Sequence, residues 1–296
     1  MKNLSLKVWL AYAAVAFFWG TTYFAIRIGV QSFPPLLMAG FRHSLGGVLI
    51  CSYFLLRGYK IPSMHDLKVF AINGFLMLSI GNGMISWAEI YVSSGLAALI
   101  CSLTPVWIVI INSVTGKKEK ITGMIVLGFT VCLAGQLLIF KDNIKDLAEA
   151  NYALGIVAIV ISNMAWASGT IYSKHHHSEV HPLFRAGLQM LFGGAVLDIA
   201  GTLKGEWTQL HPSADAIWAL AYLIIFGSII SYGAYMYLLK KLPAAIVSAS
   251  SYINTLVAVL LGWLILNEKL NFILGIAMLL TITGVWLVSK GMAERE

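Results

Sequence analysis

Charged side chains cut this chain into apolar runs of about twenty residues, the length of helix that crosses a bilayer core roughly 30 Å thick. The runs fall near 8–28, 36–56, 68–89, 95–115, 121–140, 152–173, 182–203, 216–239, 244–266 and 271–289. They are continuously apolar and do not alternate at period two, which excludes a transmembrane β-barrel. The sequence therefore predicts an all-α membrane protein with ten transmembrane helices. Of the 296 residues 59% are hydrophobic and 11% charged, with a mean hydropathy of +0.82, against roughly 45–50% and about 25% in soluble domains. An excess spread over the whole length is no single anchor, and it removes nucleic acid as a partner despite the net charge of +7. The first run is too long for a signal peptide and lacks a cleavage site, so it reads as a retained helix. Cys51, Cys101 and Cys132 each lie inside an apolar run and read as small core residues, too scattered for disulfides or a metal site.

If the spans alternate from a cytoplasmic N-terminus, fourteen of the twenty basic residues fall in inner loops and tails, among them Arg57, Lys60, Lys117, Lys118, Lys240 and Lys241. This is a strong positive-inside bias and predicts that both termini are cytoplasmic. The chain also aligns with itself at an offset of 147 to 149. Trp19 meets Trp166, Pro35 meets Pro182, Gly46-Gly47 meets Gly193-Gly194, Ser102 meets Ser251 and Gly135 meets Gly284. Two halves follow, residues 1–142 and 150–296, each of five helices. Because five is odd, the second half enters the membrane from the opposite side, which gives an inverted-topology repeat, a frequent architecture of secondary transporters.

Several of these residues form a familiar pattern. Phe18-Trp19-Gly20, Arg42, Gly95-Leu96-Ala97-Ala98-Leu99 through Leu103-Thr104-Pro105, Glu119 with Gly135, Trp166-Ala167, and Leu266-Asn267-Glu268 with Gly284 together resemble the EamA-like ten-helix members of the drug/metabolite transporter superfamily. The resemblance covers nearly the whole chain. The sequence departs from the usual pattern at Asn254, which stands where the ninth helix often carries a proline matching Pro105. The resemblance implies a carrier of small organic metabolites in the inner membrane, often an exporter, with a central cavity between the halves.

Arg42 lies about six residues, roughly 9 Å, into the second span. An arginine near the bilayer centre costs on the order of 2.5–3.5 kcal/mol on insertion scales, so it should meet a polar cavity or a partner. It either anchors a substrate carboxylate through its bidentate fork or serves structurally, snorkelling outward or bonding helix-end carbonyls. Its repeat mate is Gln189, polar at the mirrored depth, and a hydrogen-bonded pair between them is expected. Trp19, Asn82, Trp166 and Ser231 lie nearest mid-span among the aromatic and hydrogen-bonding residues and are the other substrate-binding candidates; the competing reading of such aromatics is the interfacial belt of any membrane protein. Asp198 and Glu89, close to outer helix ends, read as hydrated carboxylates before they read as proton relays.

Small residues on the fourth span (Ser94, Ala98, Ser102) and the ninth (Ala245, Ser248, Ala249, Ser251) should let these helices meet near the centre, with Pro105 bending the fourth. Glu119 and Glu268 favour the N-terminal dipoles of the fifth and tenth helices. His175, His176, His177 and His181 fall in one inner loop without a second ligand set and read as solvated, so no metal is expected. Neither is a cofactor. H-E-x-x-H, G-x-S-x-G and Walker A patterns are absent, which argues against an enzyme and against an ATP-driven pump. The expected function is secondary transport of amino-acid-like or other amphipathic solutes by alternating access, in the export direction, by a monomer, with protons as the candidate coupling ion. The alternative is an intramembrane enzyme or a channel whose motif is not recognisable.

Overall fold

The computed structural model describes residues 5–114, 122–142, 149–176, 178–267 and 272–293, and every regular element among them is helical. In chain order these are α1 (Leu6–Gly29), α2 (Pro35–Leu56), α3 (Met64–Ala88), α4 (Ser94–Cys101 and Thr104–Val114), α5 (Gly123–Asp142), α6 (Ala150–His175), α7 (Pro182–Leu203), α8 (Ala214–Lys241), α9 (Ala244–Ser248 and Ser251–Leu266) and α10 (Phe272–Ala293). Among the described residues eight are long and apolar enough to cross a membrane. The shorter apolar stretches Gly123–Gly135 and Phe272–Val288 lie in α5 and α10. The observed bounds lie within about four residues of those expected from hydropathy. Glu119 and Glu268 lie outside the described residues.

The bundle exposes large apolar side chains and buries several polar ones. Leu10, Phe17, Leu49, Leu264 and Ile265 are exposed, whereas Arg42, Asn73, Asn163 and Gln189 are buried. An apolar exterior of this kind suits lipid, and buried polar groups must then find partners inside the bundle. Helices α2 and α7 pack closely along most of their length, as do α5 and α10, while α1 lies against α8 and α9. Prolines open α2 and α7, where a missing N–H costs nothing. In the first turn of α2 the Leu37 N–H is taken at 2.9 Å by Oε2 of buried Glu206, and in that of α7 the Leu183 N–H by Nδ1 of His181 at 3.3 Å.

Two features were not visible in the hydropathy. Within α3 and α8 the backbone hydrogen bonds widen to the π spacing over Gly74–Asn82 and Leu223–Ile230, the second segment beginning 149 residues after the first. Widening frees carbonyls, and these are used. Gly227 O accepts from Trp19 Nε1 of α1 at 3.0 Å, and Gly81 O accepts from Ser162 Oγ of α6 at 2.6 Å.

The second feature is a pair of breaks. Helix α4 stops at Cys101 and resumes at Thr104, as Pro105 leads one to expect; α9 stops at Ser248 and resumes at Ser251 without any proline. The shared cause is a serine at each break that turns its hydroxyl onto the carbonyl three residues back. Ser102 Oγ donates to Leu99 O at 2.7 Å and Ser250 Oγ to Val247 O at 2.8 Å. An asparagine then secures each break to another helix. Asn163 of α6 donates to Ile100 O at 2.9 Å, and its Oδ1 shares the Thr104 hydroxyl with Cys101 O, the carbonyl that Pro105 cannot satisfy. Asn254, with its amide oriented to donate, reaches Ser250 O at 3.0 Å and Ala16 O of α1 at 2.6 Å. The broken helices meet as expected, with Thr255 Oγ1 donating to Ala98 O at 3.1 Å.

Candidate functional site

A cavity opens between α1, α2, α3, α4, α6, α8 and α9, lined by aromatic side chains together with hydroxyl, amide and guanidinium groups, the mixture expected of a small-molecule site. Four residues expected at a binding site line it together: Trp19, Arg42, Asn82 and Trp166. Arg42 donates from Nε to Ser228 Oγ at 2.8 Å and from Nη1 to Asn82 Oδ1 at 3.3 Å. Its guanidinium lies flat against α8 because residue 227 is glycine; a Cβ there would stand 2.7 Å from Nη2 and 2.8 Å from Thr22 Cγ2. The indoles of Trp19 and Trp166 meet edge to face with ring centres 5.2 Å apart. Tyr235 closes the group at 4.9 Å from Trp19 and 5.6 Å from Trp166, its hydroxyl 2.7 Å from Thr170 Oγ1.

Two expected site residues are placed elsewhere. Ser231 does not line the cavity, because its hydroxyl donates to Phe226 O of its own widened helix at 2.6 Å. Gln189 is also outside it, and the expected pair with Arg42 is not formed. Its Oε1 instead accepts from Tyr232 OH at 2.6 Å, in a separate buried cluster where Asn73 accepts from both Gln189 Nε2 and Arg185 Nη2 at 3.2 Å. Two carboxylates near helix ends are less hydrated than expected. Glu89 is fully buried, and Asp198 turns Oδ2 to the Ser44 hydroxyl at 2.6 Å with Oδ1 buried against α2. His177 lies outside the described residues; among the described ones no three candidate ligands gather for a metal.

The chain was compared with known proteins. The model of the EamA-like transporter family matches residues 6–141 and again residues 153–290. The chain belongs to this EamA-like family. An uncharacterized inner membrane transporter of Escherichia coli strain K12, YedA, is 36% identical over 97% of this chain and 92% of its own length. An uncharacterized transporter of Archaeoglobus fulgidus is 27% identical over 97% and 98%. An E. coli K12 protein named "Probable amino-acid metabolite efflux pump" is 25% identical over 94% and 93%. A solved crystal structure covering 98% of this chain and 99% of its own superimposes with a TM-score of 0.71 at 19% identity, a likeness of fold.

In this EamA-like chain several cavity residues escaped the sequence reading, above all Asn163, Thr22 and Ser162. Asn163 carried a usable signal: an amide deep in an apolar run must bond something, and its partner is the carbonyl ladder beside the one mid-span proline. Asn254 was recognised only as the residue replacing a proline, and it too borders the cavity.

Proposed function

We propose that this chain is a secondary carrier that moves small organic metabolites across the cytoplasmic membrane by alternating access, in the export direction. The observation that carries this reading is the contact of Trp19 with Trp166 at 5.2 Å inside the cavity. These residues are repeat mates, 147 apart, and mates touch where a pseudo-twofold axis passes between them. Ten crossings in two oppositely inserted halves, 1–142 and 150–296, account for that contact. Support comes from the two family matches, the widened segments of α3 and α8, and the serine-opened breaks of α4 and α9. The basic residues then place both termini in the cytoplasm, and the names of the relatives accord with transport across an inner membrane.

Trp19, Arg42, Asn82 and Trp166 contact the solute at the seam, while Gln189 and Ser231 support the walls behind it. As the halves rock, the cavity lined by the aromatic group of Trp19, Trp166 and Tyr235 and by the α4 and α9 breaks opens alternately to each side of the membrane. The full chain works as a monomer, and protons are its candidate coupling ion. Purified protein in proteoliposomes tests the reading. A carrier shows uptake of labelled solute stimulated by the same solute on the far side, and flux that ignores the far side is that of a channel.

A further inference from the structure

We propose that the cavity selects an organic anion, a carboxylate on an aromatic or apolar body, over the zwitterion and the cation built on the same body. This rests on the carrier reading and names its substrate class. Arg42 is the one charged residue among those lining the cavity. It is 3% exposed, and two of its five N–H groups are engaged, by Ser228 and Asn82. The ion pairs among the described residues, Lys204 with Glu206 and Lys240 with Glu179, do not include it. Glu89 lies within electrostatic reach of Arg42 but not on the cavity wall. A buried guanidinium on a cavity wall, with donors left over after Ser228 and Asn82, is matched by a carboxylate, which offsets its desolvation and accepts the remaining N–H groups.

The rest of the lining fits the remainder of such a solute. Trp19, Trp166 and Tyr235 offer ring faces and edges, with Ile26 and Ile85 beside them. An ammonium finds no carboxylate on these walls. The hydroxyl and amide groups nearby are neutral, and Asn163, Ser162 and Thr22 donate to Ile100 O, Gly81 O and Trp19 O, so they can offer an ammonium lone pairs but no opposite charge. Taking an ammonium from water into this cavity therefore meets a desolvation cost that ring faces and neutral oxygens offset only in part, beside the like charge of Arg42.

The test uses the purified full-length chain and three probes with one body: phenylacetate, phenylalanine and phenethylamine. Binding is read as ligand-induced thermal stabilisation in detergent, and exchange as counterflow in proteoliposomes. Phenylacetate is expected to bind at least about tenfold more tightly than either competitor, given what an unpaired buried ammonium costs. Arg42→Gln should erase the preference. Arg42→Lys should keep it with weaker binding, because an ammonium retains the charge and loses the fork. The order among probes is measured on the unaltered chain, so a misfolded variant leaves it decidable. Equal binding of all three, preference for phenylalanine or phenethylamine, or no binding of phenylacetate overturns the proposal. Phenylacetate binding without trans-stimulated exchange upholds the anion site and refutes the carrier reading.

Discussion

Replacing Asn163 with alanine should destabilise the protein by about 1–2 kcal/mol, with the loss localised at the α4 break. The side chain makes two buried hydrogen bonds, to Ile100 O at 2.9 Å and with Thr104 Oγ1 at 2.6 Å. Polar bonds between helices inside a bilayer average about 0.6 kcal/mol and reach about 1.7 kcal/mol. The upper end of the sum is not reached, because no group is orphaned. Ile100 O keeps the Leu103 N–H at 3.2 Å and the Thr104 hydroxyl keeps Cys101 O at 2.7 Å; full orphaning would cost about 1–3 kcal/mol for each group. Unfolding of the full-length chain in mixed micelles by a denaturing detergent measures the difference. A cycle with Thr104→Val isolates the shared bond, for which a coupling of about 0.6 kcal/mol is expected. Strict additivity of Asn163→Ala and Thr104→Val would refute the idea that the asparagine secures the break.

Three further outcomes follow from the geometry. Glu206→Ala removes the acceptor of the Leu37 N–H and should cost about 0.5–2 kcal/mol, with Glu206→Gln recovering part of it in the same unfolding assay. Gly227→Ala places a methyl 2.7 Å from Arg42 Nη2 and 2.8 Å from Thr22 Cγ2, so it should cost about 1–3 kcal/mol and weaken phenylacetate binding more than a distant substitution of equal cost. His181 is held below its ordinary value of 6.5 by partial burial and then by the Lys240 ammonium. Since only its unprotonated Nδ1 can cap Leu183, that contribution is full above about pH 6.5 and is lost as the pH falls toward the lowered value. Melting curves from about pH 8 to pH 5 should show a steeper acid slope for the parent than for His181→Asn.

Hydropathy and charge spacing located the helical runs because lipid leaves a backbone few alternatives. Arg42, Trp19, Asn82 and Trp166 were legible for a related reason: polar or amphipathic groups at mid-depth must meet something other than acyl chains. The widened segments were not legible, since Gly74–Asn82 and Leu223–Ile230 differ from ordinary helix by a one-residue shift in the backbone hydrogen-bond register, which side-chain pattern does not record. Nor was the α9 break, because a proline was the only disruptor sought and the Ser250 hydroxyl supplies another. Gln189 and Ser231 share the depth of the cavity residues but not their direction, and direction is set by which neighbour offers an acceptor, Phe226 O for Ser231, or a donor, Tyr232 OH for Gln189.

The two asparagines that secure the breaks both belong to the later part of the chain, and each reaches a carbonyl in the earlier part, Ile100 O or Ala16 O. During synthesis, helices α1 to α5 therefore enter the bilayer before the ribosome has made the asparagines that add a second donor to each of these carbonyls. Bonding around α4 is finished only when residue 163 arrives, and that along α1 only with residue 254. A gene cut after α5 would yield a fragment whose broken helix α4 stays unsecured until its missing companion is supplied.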